Sequence, residues 1–539
     1  MEGWSQSGHI ETWREGVHGS IVVRVRRRAV LRRFARPIPL STFAVSELSR
    51  RDLVRSLAAA GVMSVAVPDA LGAAAALARG ARGGGPVAGE LLIRGGRVVN
   101  ADGVTEQDVR IVGETIAEVG RRLAPGDGAR VIEARGMLVM PGGIDPHTHL
   151  HPTFVDDLTS GSMAALAGGI TTVGTFSTPR QGETALAALD RMAAMVKNEA
   201  IADVILHSAI WPPTDELIAV LPQLVERGQP SIKFYMMRAD FAAQLDMMIR
   251  VLEAARDAGV VTMMHCEDGA LLAAAVRRLT AAGETSLDHY IESRPVIAEV
   301  AATQQAAALC ESARAPVYLV HMSSARALEA CQPVRAAGLP LFLETRPLFI
   351  HLDESKLRGP DYQLFVGQPP LRPRRDVDAM MRGLIDGHID VLATDHAPWT
   401  RAQKMDPALS ITRVRPGASD LQFVLPMYFS EGVGKRKLAL PRFVETTSTN
   451  AAKIFGLYPK KGVVRAGADA DVAIWDPRKR SQVLAVNDYS KSDYSPYEGW
   501  EVTGWPVTVV RRGEVVVEAG KVIGSAGTGR LSVRQAWRR

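Results

Sequence analysis

The chain is predicted to be an α/β protein, a (β/α)8 TIM-like barrel with a small β-sandwich domain formed from segments before and after the barrel. Three observations predict this. From Met137 onward, short apolar runs rich in β-branched residues alternate with Ala/Leu/Arg segments of helical period. The apolar runs number eight, the strand count of a closed parallel barrel. Outside them lie two β-rich pieces without that alternation, whose simplest arrangement is one shared sandwich.

Taken in order, residues 1–85 are read as a leader to which no fold is assigned. Ser49-Arg50-Arg51-Asp52-Leu53-Val54 is followed by a weakly apolar stretch, 56–63, and an Ala-rich run ending Ala76-Leu77-Ala78. A twin arginine, an apolar stretch and a small-residue exit resemble a bacterial twin-arginine export signal over about residues 45–80, which implies a periplasmic or extracellular protein. An amphipathic helix of the folded domain is the alternative. The Arg-rich residues 1–44 precede such a signal awkwardly, and a start near Val45 fits better; if the leader is an annotation artefact, the protein is cytoplasmic. Pro68 and Asp69 interrupt the apolar run, so no stable membrane span is expected.

Gly83-Gly84-Gly85-Pro86 reads as a flexible junction. Residues 86–140 form the first part of the sandwich, from Glu90-Leu91-Leu92-Ile93 onward. The barrel occupies 141–455, with strands at 137–146, 170–177, 203–210, 231–236, 260–267, 316–323, 340–346 and 390–396. Helices are expected at 182–199, 241–258, 297–313 and 324–337. Residues 456–530, including Ala470-Asp471-Val472-Ala473-Ile474-Trp475, supply the second part of the sandwich and the tail.

Composition narrows the function. With 539 residues, 47% hydrophobic and 23% charged, the chain has the balance of a soluble globular protein with a sizeable core. Its net charge of +6 suggests nucleic acid, but residues 1–82 hold 13 Arg and 6 acidic residues, a local +7 that leaves the remainder at −1. No nucleic-acid partner is therefore expected. Cys266, Cys310 and Cys331 have no paired spacing and support neither a disulfide framework nor a thiolate metal cluster.

The chemistry gathers at strand ends. The first strand closes on Gly143-Ile144-Asp145-Pro146-His147-Thr148-His149, and residues two apart in an extended segment point to the same side, so both imidazoles can reach one cation. Lys233 lies on the fourth strand, His265 ends the fifth, His321 the sixth and Asp395 the eighth. Each alone has an ordinary explanation, a hydrogen-bonded core histidine or a solvated lysine. Together they bring metal-compatible groups from five strands to the rim where this fold collects catalytic residues.

This set resembles the amidohydrolase superfamily, and the segment from Thr447-Ser448-Thr449-Asn450 to Lys460-Lys461-Gly462 resembles its dihydropyrimidinase and D-hydantoinase branch of cyclic amidases. Gln403-Lys404, Pro369-Pro370-Leu371-Arg372 and Tyr497-Glu498-Gly499-Trp500 support the resemblance, which spans about residues 90–530. It implies that His147, His149 and Asp395 hold one divalent cation and His265 and His321 a second. Lys233 would bridge them as a carbamate formed with carbon dioxide, since an ammonium would repel two cations. Zinc is the expected ion, with manganese as the alternative. The resemblance further implies attack by a metal-bridging hydroxide on the carbonyl of a small cyclic amide or imide, Asp395 moving the proton to the leaving nitrogen. A homo-oligomer, usually a tetramer in that branch, is implied as well.

The recognition residues depart from the branch. Dihydropyrimidinases have tyrosine five residues after the bridging lysine, where this chain has Arg238, and generally serine before Pro-Pro-Leu-Arg, where it has Gln368. An Asn-Gly pair expected after the eighth strand is absent from residues 412–417. Dihydroorotases carry arginine two residues after the second histidine, where His151 stands here. If Arg238, Arg346 and His151 face the mouth, the substrate has an anionic or carbonyl-rich portion. The readings in play are thus a hydantoinase-type cyclic amidase, an allantoinase- or dihydroorotase-like or other amide hydrolase acting on a more anionic substrate, and a non-catalytic scaffold. The complete ligand set argues against the last.

Overall fold

The computed structural model describes residues 89–151 and 153–538, so the twin-arginine segment lies outside the described residues. The amino-terminal strands are β1 (Glu90–Asn100), β2 (Gly103–Val112), β3 (Thr115–Gly120), β4 (Arg130–Glu133) and β5 (Leu138–Pro141). The barrel follows with β6 (Gly143–Asp145), β7 (Ile170–Ser177), β8 (Asp203–Ala209), β9 (Ser231–Tyr235), β10 (Val261–His265), β11 (Val317–Leu319), β12 (Leu341–Thr345) and β13 (Val391–Leu392). These eight run in sequential order, and a parallel bridge between Thr148 and His396 brings the last strand back to the first. Every residue of β7 and β8 is buried, as expected of parallel strands covered on both faces.

After the barrel come β14 (Val472–Gln482), β15 (Glu501–Arg511), β16 (Glu514–Glu518) and β17 (Lys521–Val522). They join the amino-terminal strands in one nine-stranded mixed sheet, where β14 pairs with β5 across more than 300 intervening residues. Its core draws Leu91, Ile93 and Val109 from one side of the barrel sequence and Val472, Ile474 and Val510 from the other. The predicted pairing of the two flanking segments is thus the observed one.

Three strands differ most from their expected bounds. The run 137–146 is two strands: β5 belongs to the sandwich, and β6 to the barrel. Gly142 makes the crossing, since a Cβ there would lie 2.2 Å from Thr171 Oγ1. Strands β11 and β13 stop short of 323 and 396 because His321 (φ 41°) and Asp395 (φ 50°) take left-handed backbone that ends the pleat. Both are site residues.

Helices follow the apolar period closely. Leu245–Ala258 buries Met248, Val251, Leu252 and Ala255, one face at helical spacing, and stops at left-handed Gly259. Ala185–Glu199 and Ala325–Ala336 start where Thr184 and Ser324 accept a hydrogen bond from a first-turn N–H. Residues 524–538, of which 524–530 fall in the segment read as the second part of the sandwich and its tail, return beneath the barrel, pairing Leu531 with Val204 at the start of β8. No described helix is long and apolar enough to cross a membrane.

Candidate metal centre

At the carboxyl ends of the barrel strands a cavity of about 130 Å³ is lined by His147, His149, Lys233, His265, His321 and Asp395, together with Phe154, Tyr235, Gln368, Ala397, Pro416 and Gly417. The six groups singled out from strand ends therefore converge on one space. Ligand atoms of His147, His149 and Asp395 all lie within 4.8 Å of one another. Asp395 Oδ1 is 3.0 Å from His149 Nε2 and 3.2 Å from His147 Nε2.

Three of the four imidazoles have one nitrogen committed to a carboxylate outside the cavity or left bare. His147 Nδ1 lies 2.8 Å from Glu344 Oε1 and His265 Nε2 lies 2.8 Å from Glu267 Oε2, so each donates its N–H to a carboxylate and turns the other nitrogen's lone pair toward the cavity. His321 Nδ1 is buried with no partner, and so is Lys233 Nζ. The His265 and His321 rings are 4.6 Å apart and those of His147 and His321 5.6 Å.

Burial disfavours the charged form of three of these imidazoles. It pushes His147 and His321 well below the usual histidine range and lowers His265. Burial likewise brings the Lys233 ammonium down to about 8. At Asp395 burial opposes the charge, but Arg346, then His147 and His149, outweigh it and hold the carboxyl well below its ordinary value.

Sequence reasoning missed the groups that aim these ligands. Glu344, fully buried at the end of β12, accepts from His147, from the backbone N–H of His321 (2.9 Å) and from the Tyr318 hydroxyl (2.8 Å). Burial raises it to about 8. Glu267 is paired with Arg294, and Asp145 accepts from the His147 N–H (3.0 Å) and the Thr394 hydroxyl (2.6 Å). A charged residue inside an apolar strand was the available signal for Glu344.

The expected substrate residues divide. Gln368 lines the cavity. Arg346 does not point to the mouth: it is fully buried and spans Asp395 Oδ2 (2.6 Å) and Asp420 Oδ2 (3.0 Å), two carboxylates that consume its charge. Arg238 is half-exposed, stacked 4.8 Å from the Trp211 ring and 3.4 Å from Asp240, outside the lining. His151 is also outside it, packed 5.1 Å from Phe154 and pushed down to about 4 by burial.

The Amidohydrolase family profile matches residues 138–516. A D-hydantoinase of Geobacillus stearothermophilus is 36% identical over 82% of this chain and 96% of its own length. A solved dihydropyrimidinase of Brevibacillus agri superposes with a TM-score of 0.80 at 31% identity, over 84% of this chain and 100% of that one. An L-hydantoinase (dihydropyrimidinase) of Arthrobacter aurescens does so with a TM-score of 0.74 at 27% identity, over 83% of this chain and 100% of that one.

Proposed function

The chain belongs to the amidohydrolase family, in its hydantoinase branch, and is a cyclic amidohydrolase; we propose that it works with two divalent cations bridged by a carbamylated Lys233. Lys233 Nζ carries this reading: fully buried and partnerless, it stands in a cavity with four neutral or carboxylate-paired imidazoles and Asp395. An unsatisfied buried polar atom costs about 1–3 kcal/mol, a cost removed when the atom becomes a ligand. His147, His149 and Asp395 would hold one cation and His265 and His321 the other, zinc suiting imidazole and carboxylate donors and manganese being the alternative. The lowered Lys233 supplies the neutral amine that adds to carbon dioxide. When bound, the cations polarise the amide carbonyl and acidify water for attack.

The protein's own groups supply orientation and proton transfer. Glu344 and Glu267 fix the tautomers of His147 and His265. Asp395, whose Oδ1 faces the histidines and would meet the cation while Arg346 clamps Oδ2, is the carboxylate placed to take up the proton. Tyr235, Phe154 and Pro416 wall a space well below the about 300–1,000 Å³ of sites for drug-sized ligands, which suits one small ring. The anionic-substrate reading rested on Arg238, Arg346 and His151; both arginines are engaged elsewhere, and His151 packs on Phe154 outside the lining. The substrate we favour is therefore a neutral hydantoin or dihydropyrimidine ring.

Assaying purified protein, with its metal content measured, against hydantoin, dihydrouracil, allantoin and dihydroorotate tests this reading. Ring opening of the first two is expected, and turnover of dihydroorotate alone would overturn the neutral-ring assignment. We also propose export by the twin-arginine route, supported by Arg50-Arg51 and the following apolar stretch, and a homotetramer, supported by the branch resemblance. Fractionation of cells with and without Arg50→Lys and Arg51→Lys tests the first, light scattering the second.

A further inference from the structure

The opposite end of the barrel holds a second buried polar feature. Residues 530–537 run across the floor, hydrogen-bonding from Val204 N–H to Arg530 O (2.8 Å), Ser532 N–H to Val204 O (2.8 Å), Arg534 N–H to Gly228 O (3.0 Å), Gln535 N–H to Gly456 O (2.9 Å) and Trp537 N–H to Gly259 O (2.7 Å). The floor is shaped for this strap. At Gly228, Gly259 and Gly456, all left-handed, an added Cβ would lie 2.7, 2.7 and 2.0 Å from tail atoms.

From the strap the Arg534 side chain rises into the barrel, only 3% exposed. Its Nη2 donates to Leu206 O (2.7 Å) and Ser231 Oγ (2.8 Å), with Gln229 Oε1 at 3.4 Å, while Nε and Nη1 are buried without partners. Among the described residues no carboxylate pairs with it, and burial alone pulls it down to about 9. An arginine is a costly plug for a floor that an apolar side chain could fill. What it touches explains its presence. Ser231 Oγ is 2.7 Å from His207 Nδ1, and His207 Nε2 is 2.9 Å from the carbonyl of Pro146, the residue before His147.

Donor and acceptor roles in this chain follow from its two ends. The Pro146 carbonyl can only accept, so Nε2 bears the proton, and a neutral ring then accepts at Nδ1 from the Ser231 hydroxyl. That leaves the serine oxygen to accept from Arg534, which can only donate. We infer that Arg534 is a positioning residue for the metal centre, acting from the carboxyl-terminal strap through Ser231 and His207 on the Pro146 carbonyl and so on the His147–His149 segment. Gly174 fits the same device: a Cβ there would sit 2.4 Å from Pro146 O and 2.7 Å from His207 Nε2. Ser231 also lies two residues before Lys233 on β9, so one hydroxyl borders both ligand-bearing segments.

The inference rests on the two-cation reading, and the experiment separates them. Full-length protein loaded with zinc is challenged with a chelating dye under conditions where circular dichroism shows each variant folded, and the rate of metal release is read. Arg534→Met is expected to release metal several-fold faster, a smaller effect than the about 10- to 100-fold cost of losing a group bonded directly to a ligand. Arg534→Lys, which keeps a donor, should restore most of the difference. Trp537→Ala loosens the strap outside the relay and should release at the wild-type rate. Arg534→Met combined with His207→Phe should match the more severe single variant, because both cut one chain. Wild-type release from Arg534→Met, or equal acceleration by Trp537→Ala, would overturn the inference. A wild-type protein that binds no zinc would instead overturn the metal reading, and the inference with it.

Discussion

Two clusters of buried charge, one around Asp203 at the floor of the barrel and one at its rim, are built in opposite ways. At the floor, Lys461 is shared by Asp203 and Asp471, and Arg512 also pairs with Asp203, so the charges answer one another. At the rim, Lys233 Nζ and His321 Nδ1 are equally buried and have no hydrogen-bond partner within the protein. Paired burial holds the sandwich to the barrel, since Asp203 opens β8 while Asp471 precedes β14. Unpaired burial beside a cavity marks where something else can bind, whereas Arg534, which also has no carboxylate, is held by the Leu206 carbonyl and the Ser231 hydroxyl. Burial alone therefore does not separate structural from functional polar groups; a missing partner in a residue that lines the cavity does.

Substitutions sharpen that contrast. The largest effect is expected from Lys233→Ala, which should lose most bound metal and activity, with partial rescue by short carboxylic acids that replace the bridge. Folding should survive, because Lys233 makes no protein hydrogen bond to lose. Lys461→Met should do the reverse, costing about 3–5 kcal/mol of stability in urea unfolding by leaving buried Asp471 without its cation and Asp203 with Arg512 alone, while the folded fraction keeps its kcat. The floor also has a pH signature. Burial opposes the Asp203 charge, but Lys461 and Arg512 lower its pKa below the unfolded value, so its stabilisation is present above the ordinary aspartate range and is lost as pH falls through the folded value. Urea midpoints of wild type and Lys461→Met should accordingly converge on acidification.

A smaller effect is expected at Glu344→Gln, which puts an amide donor against one of three donors that the carboxylate now accepts. Metal affinity should fall about 10- to 100-fold. Smallest of all is Arg238→Tyr, for which the ratio of kcat/KM on neutral and carboxylated rings should stay unchanged; a marked shift toward neutral rings would place Arg238 at the substrate after all.

The same contrast governs how much could be read from the sequence. Ligands at strand ends were legible because strand period and barrel topology fix where such residues go, and His147, His149, Lys233, His265, His321 and Asp395 all reach the cavity. Arg238 was placed by counting along the chain from Lys233, but β9 ends at Tyr235, and a turn carries the side chain outward onto Trp211. Arg346 was read as a mouth residue because its partner Asp420 lies 74 positions away in an irregular segment. Glu344 and Arg534 act across 197 and 303 residues respectively, distances over which no local period carries information. The split of 137–146 was hidden too, since a continuous apolar run does not reveal that its halves join different sheets.

The central claim is that the unanswered groups at the rim hold two cations that make the cyclic amidase active. Titrating metal-free protein with zinc in the presence of bicarbonate, while following hydantoin ring opening, tests it most directly. Activity absent without metal and reaching its plateau at two equivalents per chain is the predicted result. Full activity in the metal-free protein, or a plateau at one equivalent, would contradict it.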